Sequence, residues 1–314
     1  MKEIGGYFEL DKTTKNNGVE FYSDLLALNC ARNAFLYLCR ARNIKKIYIP
    51  FFLCDSISKV CQKEGVAFEY YHTSESFKPI FNKRLNNNEY LYIVNYFGQM
   101  TREEIVLLKN KYKTIIIDNV QAFFDKPVDG IDTIYSCRKF FGVPDGAYLS
   151  TNAGHLELQY DDSSRRLSHI IGRTKDGAKK HYQEYLSNEE LLSKAPLCFM
   201  SKTTHSLLGK IDYSCVASIR ESNFAFLHSK LGHLNMLSVR CPIGPYSYPL
   251  HIKNGSQIRD SLIKKNIFIP HLWPNILSKK EDAFSRDILP LPCDQRYTKD
   301  DMEYIANEVL KCLN

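Results

Sequence analysis

No apolar run in this chain approaches the roughly 20 residues that a membrane-spanning helix needs, and the longest apolar stretches have the length of strands. The opening residues, Met1-Lys2-Glu3-Ile4-Gly5-Gly6, contain no apolar signal region, which predicts a cytoplasmic protein and not a secreted one. No two of the 10 cysteines form a Cys-x-x-Cys pair, and several lie inside apolar runs. The expectation is reduced, partly buried thiols, with no zinc site. A Gly-x-Gly-x-x-Gly turn after a strand is missing, and so is a P-loop, which ranks a plain nucleotide-binding protein last. Basic residues give a net charge of +7, but they are scattered and not interleaved with aromatics. Nucleic acid is therefore not an expected partner; an anionic cofactor or phosphorylated substrate suits the balance. Internal repeats, low-complexity segments and Gly/Ser linkers are also lacking.

What is present is a chain of 314 residues, 44% apolar and 25% charged, ordinary values for a soluble protein with a sizeable core. Strand-like and helix-like segments alternate through the first half. Residues 31–42 read as a helix with Ala34, Phe35 and Leu38 on one face. Strands are expected at 46–50, 66–71, 90–95, 114–118, 133–137 and 147–150, with a short helix over 55–64. Thr101-Arg102-Glu103-Glu104 has the form of a capping box opening a helix to about residue 111. This alternation argues for a mostly parallel sheet flanked by helices. The composition changes near residue 160. Residues 161–194 are polar and helical in character, a long helix pattern runs over 202–231, and strands are expected near 241–252. A helix follows over 256–265, then a strand at 267–269 and a last helix after Thr298, which with Asp301 forms a second capping box. These elements read as a smaller α+β lobe.

The segment from Asp118 to Ser150 carries the chemistry. Asp118 ends the run Thr114-Ile115-Ile116-Ile117, and Lys139 follows 21 residues later in Ser136-Cys137-Arg138-Lys139. That is the layout needed to hold pyridoxal phosphate (PLP). The lysine amine forms a Schiff base, and the aspartate keeps the pyridine nitrogen protonated so that the ring acts as an electron sink. Ser136 is placed to donate to a phosphate, and Gly142 and Pro144 fit a tight turn after the lysine. Gln121, one turn past Asp118, is placed to reach the ring hydroxyl or the substrate. The helix start Asn29-Cys30-Ala31-Arg32-Asn33 offers backbone amides at Ala31 and a forked cation at Arg32 to a phosphate. Phe52, after the strand ending at Pro50, is a candidate to stack on the ring, with core packing as the alternative. Tyr96 is a similar candidate. For His251, His271 and Trp273 ordinary packing is expected.

These residues resemble the fold-type I PLP enzymes, and most closely the DegT/DnrJ/StrS sugar aminotransferases, from Asn29 to the final helix. Ile117-Asp118-Asn119-Val120-Gln121-Ala122 is similar to the family's Glu-Asp-Ala-Ala-Gln-Ala block, and Asn29-Cys30-Ala31-Arg32-Asn33-Ala34 to its Asn-Ser-Gly-Thr-Ala-Ala phosphate loop. Arg220-Glu221-Ser222-Asn223 resembles the Arg-x-x-Asn element of its long helix. The chain departs from the pattern at Arg32, where the family has a small residue. It departs again at Asp145-Gly146-Ala147, where the family has Gly-Glu-Gly-Gly, and the Ser136-x-x-Lys139 spacing is closer to that of aspartate aminotransferase-like enzymes.

The resemblance implies an α/β protein of PLP fold type I. Its implied parts are an N-terminal segment over 1–28, a large PLP-binding domain over 29–200 and a small C-terminal domain over 201–314. It implies transamination from an amino acid such as glutamate to a keto acceptor, with a nucleotide-linked keto-sugar as that acceptor. Lys139 would carry the proton shift and Asp118 would stabilise the charge on the ring. It also implies a homodimer that shares active sites, to which Ser201 would contribute. Sugar dehydratases of the family have histidine in place of the lysine, and Lys139 argues against that branch. Other PLP reactions (elimination, aldol cleavage, decarboxylation) and a non-catalytic regulatory protein on the same fold remain alternatives.

Overall fold

The β-branched and aromatic runs of the first half do form strands, and the amphipathic segments between them form helices. A computed structural model describes residues 2–15, 18–274 and 276–313. Met1, Asn16, Asn17, Asn275 and Asn314, and with them the outer ends of the expected 1–28 and 201–314 segments, lie outside the described residues. In chain order the first half contains β1 (Ile4–Gly5), β2 (Leu26–Leu28), α1 (Ala31–Ala41), β3 (Lys46–Pro50), α2 (Ser56–Glu64), β4 (Ala67–Thr73) and β5 (Pro79–Ile80). Then come β6 (Glu89–Val94), α3 (Arg102–Tyr112), β7 (Ile115–Asp118), β8 (Asp132–Ser136) and β9 (Ala147–Ser150). Strands β2 to β9 make one sheet in the order β2-β9-β8-β7-β6-β3-β4-β5. Its centre, from β4 through β3, β6 and β7 to β8, is parallel, and β5 and β9 pair antiparallel to their neighbours. β7 and β8 are buried along their whole length, as strands covered on both faces must be. One face packs on α1 and α2 through Phe35, Leu38, Ile57 and Val60, and the other on α3 through Ile105 and Tyr112. The capping box at Thr101 and Glu104 is present and starts α3.

The second half holds α4 (Ser168–Asp176), α5 (Tyr182–Lys194), α6 (Lys202–Leu208), α7 (Tyr213–Leu231), β10 (Tyr248–His251), α8 (Gly255–Lys264), β11 (Ile267–Phe268), α9 (Lys279–Asp287), β12 (Ile288–Leu291) and α10 (Lys299–Lys311). β10 and β12 pair antiparallel, and α7, α8 and α10 close over them around Phe224, Leu250, Leu262, Leu289 and Ile305. The second capping box, Thr298 with Asp301, starts α10. Among the described residues no helix is long and apolar enough to cross a membrane, and all 10 cysteines are free.

Three expectations change. The helix pattern over 202–231 is two helices, because the N-terminal segment pairs into the break: Lys15 N donates to Lys210 O and Asp212 N to Thr13 O. Asp212 then caps α7 by accepting from Cys215 N. Over 241–252 only Tyr248–His251 is a strand; Pro242, Pro245 and a left-handed Gly244 (φ 48°) keep the preceding residues out of a ladder. Finally, β1 pairs in parallel with β11, and Ile4 is buried in the second-half core, so the chain's first strand packs with the C-terminal lobe.

Candidate active site

Asp118 is the last residue of β7 and is 3% exposed. A carboxylate so placed needs partners. It has two, the Val120 amide at 2.9 Å and the Tyr92 hydroxyl from neighbouring β6 at 2.8 Å. Burial pushes its carboxyl above the ordinary range, against the opposing pull of Lys139 and of those two hydrogen bonds.

Lys139 stands three residues past the end of β8, on a turn that Phe140 N and Phe141 N close onto Cys137 O. Gly142 is required here by space: a Cβ would stand 1.9 Å from Glu9 O. Among the described residues Lys139 forms no ion pair; its amine lies 5.9 Å from the Tyr246 ring centre. Burial lowers its amine below the ordinary lysine range, and the Asp118 charge is the largest effect acting against that. A lysine held this way loses its proton more readily and so is a better nucleophile.

A cavity of about 660 Å³ opens onto this amine. Ser136, Arg138 and Lys139 line it from the first half, and Tyr246, Ser247, Asp294 and Arg296 from the second. Tyr7, Phe8, Tyr182 and Tyr185 add aromatic walls. Arg296 is fully engaged, bonding both oxygens of Asp294 and reaching Glu9. Ser247 differs: it is 4% exposed and its hydroxyl has no partner among the described residues.

The expected residues do not all converge. Lys139 and Ser136 line the cavity; Asp118, Gln121 and Ala31 are not part of its wall, though Asp118 lies within electrostatic reach of Lys139. Gln121 Oε1 accepts from Phe97 N at 2.8 Å and so helps to hold Phe97 at a left-handed φ of 53°. Its Nε2 is buried without a partner among the described residues. Ala31 begins α1, whose N-cap Cys30 makes no side-chain cap and whose first turn carries no acid, although the Arg32 and Asn33 amides lie against the Cys30 thiol. Arg32 turns away and donates to Leu192 O at 3.2 Å, outside the cavity wall. Phe52 is 1% exposed among Tyr96, Trp273, Phe77 and Phe284, with ring centres 4.4 to 6.3 Å away, and is not part of the cavity wall. Tyr96 packs in the same cluster, and His251 packs edge-on against Phe284.

Ser201 is a correction. It caps α6 and is buried against Asp145, which accepts from its amide at 3.1 Å and its hydroxyl at 2.9 Å. Its hydroxyl is taken up inside this chain, and the residue is 1% exposed there. Arg138 is the residue that the sequence reading passed over. It lines the cavity beside Lys139, is ion-paired to Glu189 and lies near Cys30 at the start of α1. Its place immediately before the lysine was the only signal available.

These residues fit PLP. An uncapped helix start and Ser136 suit a phosphate, a buried carboxylate suits a pyridine nitrogen, the orphaned Gln121 amide suits a ring hydroxyl, and Lys139 supplies the amine.

The sequence matches no protein-family profile and no curated protein. Solved structures do match. PseC of Helicobacter pylori, an aminotransferase involved in the biosynthesis of pseudoaminic acid, superposes with a TM-score of 0.65 at 14% identity, covering 99% of each chain. The chain has the fold of the sugar aminotransferases. A DegT/DnrJ/EryC1/StrS aminotransferase from Brucella abortus shares that fold at a TM-score of 0.59 and 13% identity, covering 91% of this chain and 85% of the other. NtdA from Bacillus subtilis, solved with bound PMP, shares it at 0.65 and 12%, covering 91% and 72%. Asp118 and Ser136 end the neighbouring parallel strands β7 and β8, and open α/β sheets hold their ligands at such strand ends.

Proposed function

We propose that this chain is a PLP-dependent aminotransferase that moves an amino group from an amino acid, with glutamate as the first donor to try, to a nucleotide-linked keto-sugar. The observation that carries the reading is the half-buried Lys139, free of any ion pair among the described residues, lining a cavity and within electrostatic reach of buried Asp118. Bound there, PLP would supply an electron sink for the pair released when the donor loses its α-proton. Lys139 would anchor the cofactor and then move that proton, a role its lowered basicity suits. Asp118 would hold the proton on the ring nitrogen, with Tyr92 and Val120 N fixing its orientation. Gln121 Nε2 would donate to the ring hydroxyl, and the α1 amides with Ser136 and Arg138 would take the phosphate.

The sugar acceptor is supported by the structural neighbours, among them PseC and a DesI solved in the presence of its TDP-sugar product. A homodimer with shared sites, a cytoplasmic setting and the absence of a nucleic-acid partner belong to the same proposal. So does a division near residue 200, with residues 4–5 joining the C-terminal lobe through β1.

The test is the visible spectrum of the purified protein with added PLP, for wild type and Lys139→Ala, before and after glutamate. A yellow band in wild type alone, bleached by glutamate, is the expected result. A band that ignores amino donors would point to another PLP reaction. No lysine-dependent band would overturn the enzyme reading.

A further inference from the structure

The carbonyl next to Lys139 is held by a chain of polar groups drawn from three distant parts of the sequence, two of them buried and Asp11 half-buried. Phe140 O accepts from Arg220 Nη2 at 3.0 Å and from Gln295 Nε2 at 2.9 Å. Gln295 Oε1 accepts from Arg220 Nε at 2.8 Å, and its Nε2 also donates to Asp11 Oδ1 at 2.6 Å. The other Asp11 oxygen accepts from Gly142 N at 2.9 Å, which closes the set onto the far end of the same turn. Arg220 Nη1 donates to Pro245 O at 2.9 Å, one residue before the cavity residue Tyr246. The Arg220 guanidinium is 4.7 Å from the Phe140 ring centre, and the residue is 0% exposed on α7.

Burying this arginine beside a half-buried carboxylate is costly, and an apolar filling of the same volume is often as stable or more so. What an apolar filling does not supply is direction. The polar set fixes both ends of the Lys139 turn and ties it to the opposite cavity wall at Pro245.

We propose that Asp11, Gln295 and Arg220 are positioning residues for Lys139, locking its turn so that the amine meets the cofactor at one distance and one angle. The inference rests on the assignment of Lys139 as the cofactor anchor. Misplacing a reacting group by about 1 Å costs on the order of 100-fold in rate, so loosening this set slows capture of PLP.

The test uses Asp11→Asn, which removes the charge and sets an amide against the Gln295 amide, and Gln295→Glu, which keeps the shape but replaces the donor. Two readouts are taken. One is hydrogen exchange at the Phe140 and Gly142 amides of the protein without cofactor. The other is the growth rate and pH midpoint of the yellow band on adding PLP; Asp118, Cys54, Arg138 and, from the opposite wall, Tyr246 are the charged or titratable groups facing Lys139 in both variants. The expected result is exchange faster by about tenfold, the equivalent of one lost hydrogen bond, confined to the turn. Band growth is expected to slow by about 10- to 100-fold, with a displaced midpoint. A wild-type band whose rate and midpoint both variants reproduce overturns the inference and leaves the cofactor reading standing. Loss of protection across the whole chain also overturns it, because the set would then serve general stability. A wild type with no band overturns the cofactor reading, and the inference with it.

Discussion

Strands β3 and β7 flank β6 in one sheet and point the same way, yet their carboxyl ends differ. After β7 the chain leaves a buried carboxylate within electrostatic reach of a lysine, and Gln121 with its amide donor unpaired among the described residues. After β3 it leaves Phe52, enclosed by four aromatic side chains and with its carbonyl bonded to Tyr96. The first end is polar and unfinished, the second apolar and complete. An unpaired buried polar group carries a standing cost, and a bound ligand is one way to remove it. A finished aromatic cluster has nothing left to bind.

The contrast breaks first at Phe52. Phe52→Ala is expected to lower the free energy of unfolding by about 3–5 kcal/mol, measured by denaturant titration, while the wavelength of the yellow band stays put. A displaced band with unchanged stability would restore Phe52 to the cofactor. Asp118→Asn should do the reverse. It keeps the fold, and its turnover falls by about 100- to 1,000-fold, the usual scale for one preorganised electrostatic partner. Steady-state rates with a competent donor check this, and an unchanged rate would remove Asp118 from the site. Gln121→Glu preserves the acceptor for Phe97 N but deletes the orphaned donor. PLP affinity, followed by the band, is expected to weaken by about 10- to 100-fold, the worth of a hydrogen bond to a charged group. Equal affinity would mean that Nε2 faces no ligand.

The same contrast marks how far the residues alone carry. Asp118, Ser136 and Lys139 were legible because they sit at strand ends that a run of β-branched residues announces, and the two capping boxes marked the starts of α3 and α10. Phe52 sits at a strand end too, but a ring there reads the same whether it faces a cofactor or other rings; only its neighbours from α9 and from Trp273 decide. Pairings between distant segments leave no local trace. β1 finds β11 across most of the chain, and the 13–15 segment breaks a helix at 210–212 whose apolar pattern runs on. The aromatic cavity walls at Tyr7, Tyr182 and Tyr185 likewise come from segments with no strand or motif to flag them. Arg32 shows the opposite failure: its sequence context fits a phosphate, but the Leu192 carbonyl lies within its reach.

The smallest effect expected is also the one that ties the two charges of the polar end together. Capture of an aldehyde needs the neutral amine, so the rate of band growth rises with pH through the folded-state pKa of Lys139. Burial sets that pKa below the ordinary 10.5, and the Asp118 charge opposes the drop. The unfolded chain therefore binds the proton that folded Lys139 sheds. The stability contribution of this group is present above 10.5 and is lost as pH falls from there through the lowered value. Asp118→Asn removes the opposing charge, so the capture midpoint should move further down, and at a fixed pH below it the variant should capture PLP faster than wild type while turning over more slowly. The cofactor's own titrations are common to both proteins and cancel in the comparison. A midpoint that stays where it was would mean that the two groups do not feel each other, and the polar end of β7 would then be no more an active site than the aromatic end of β3.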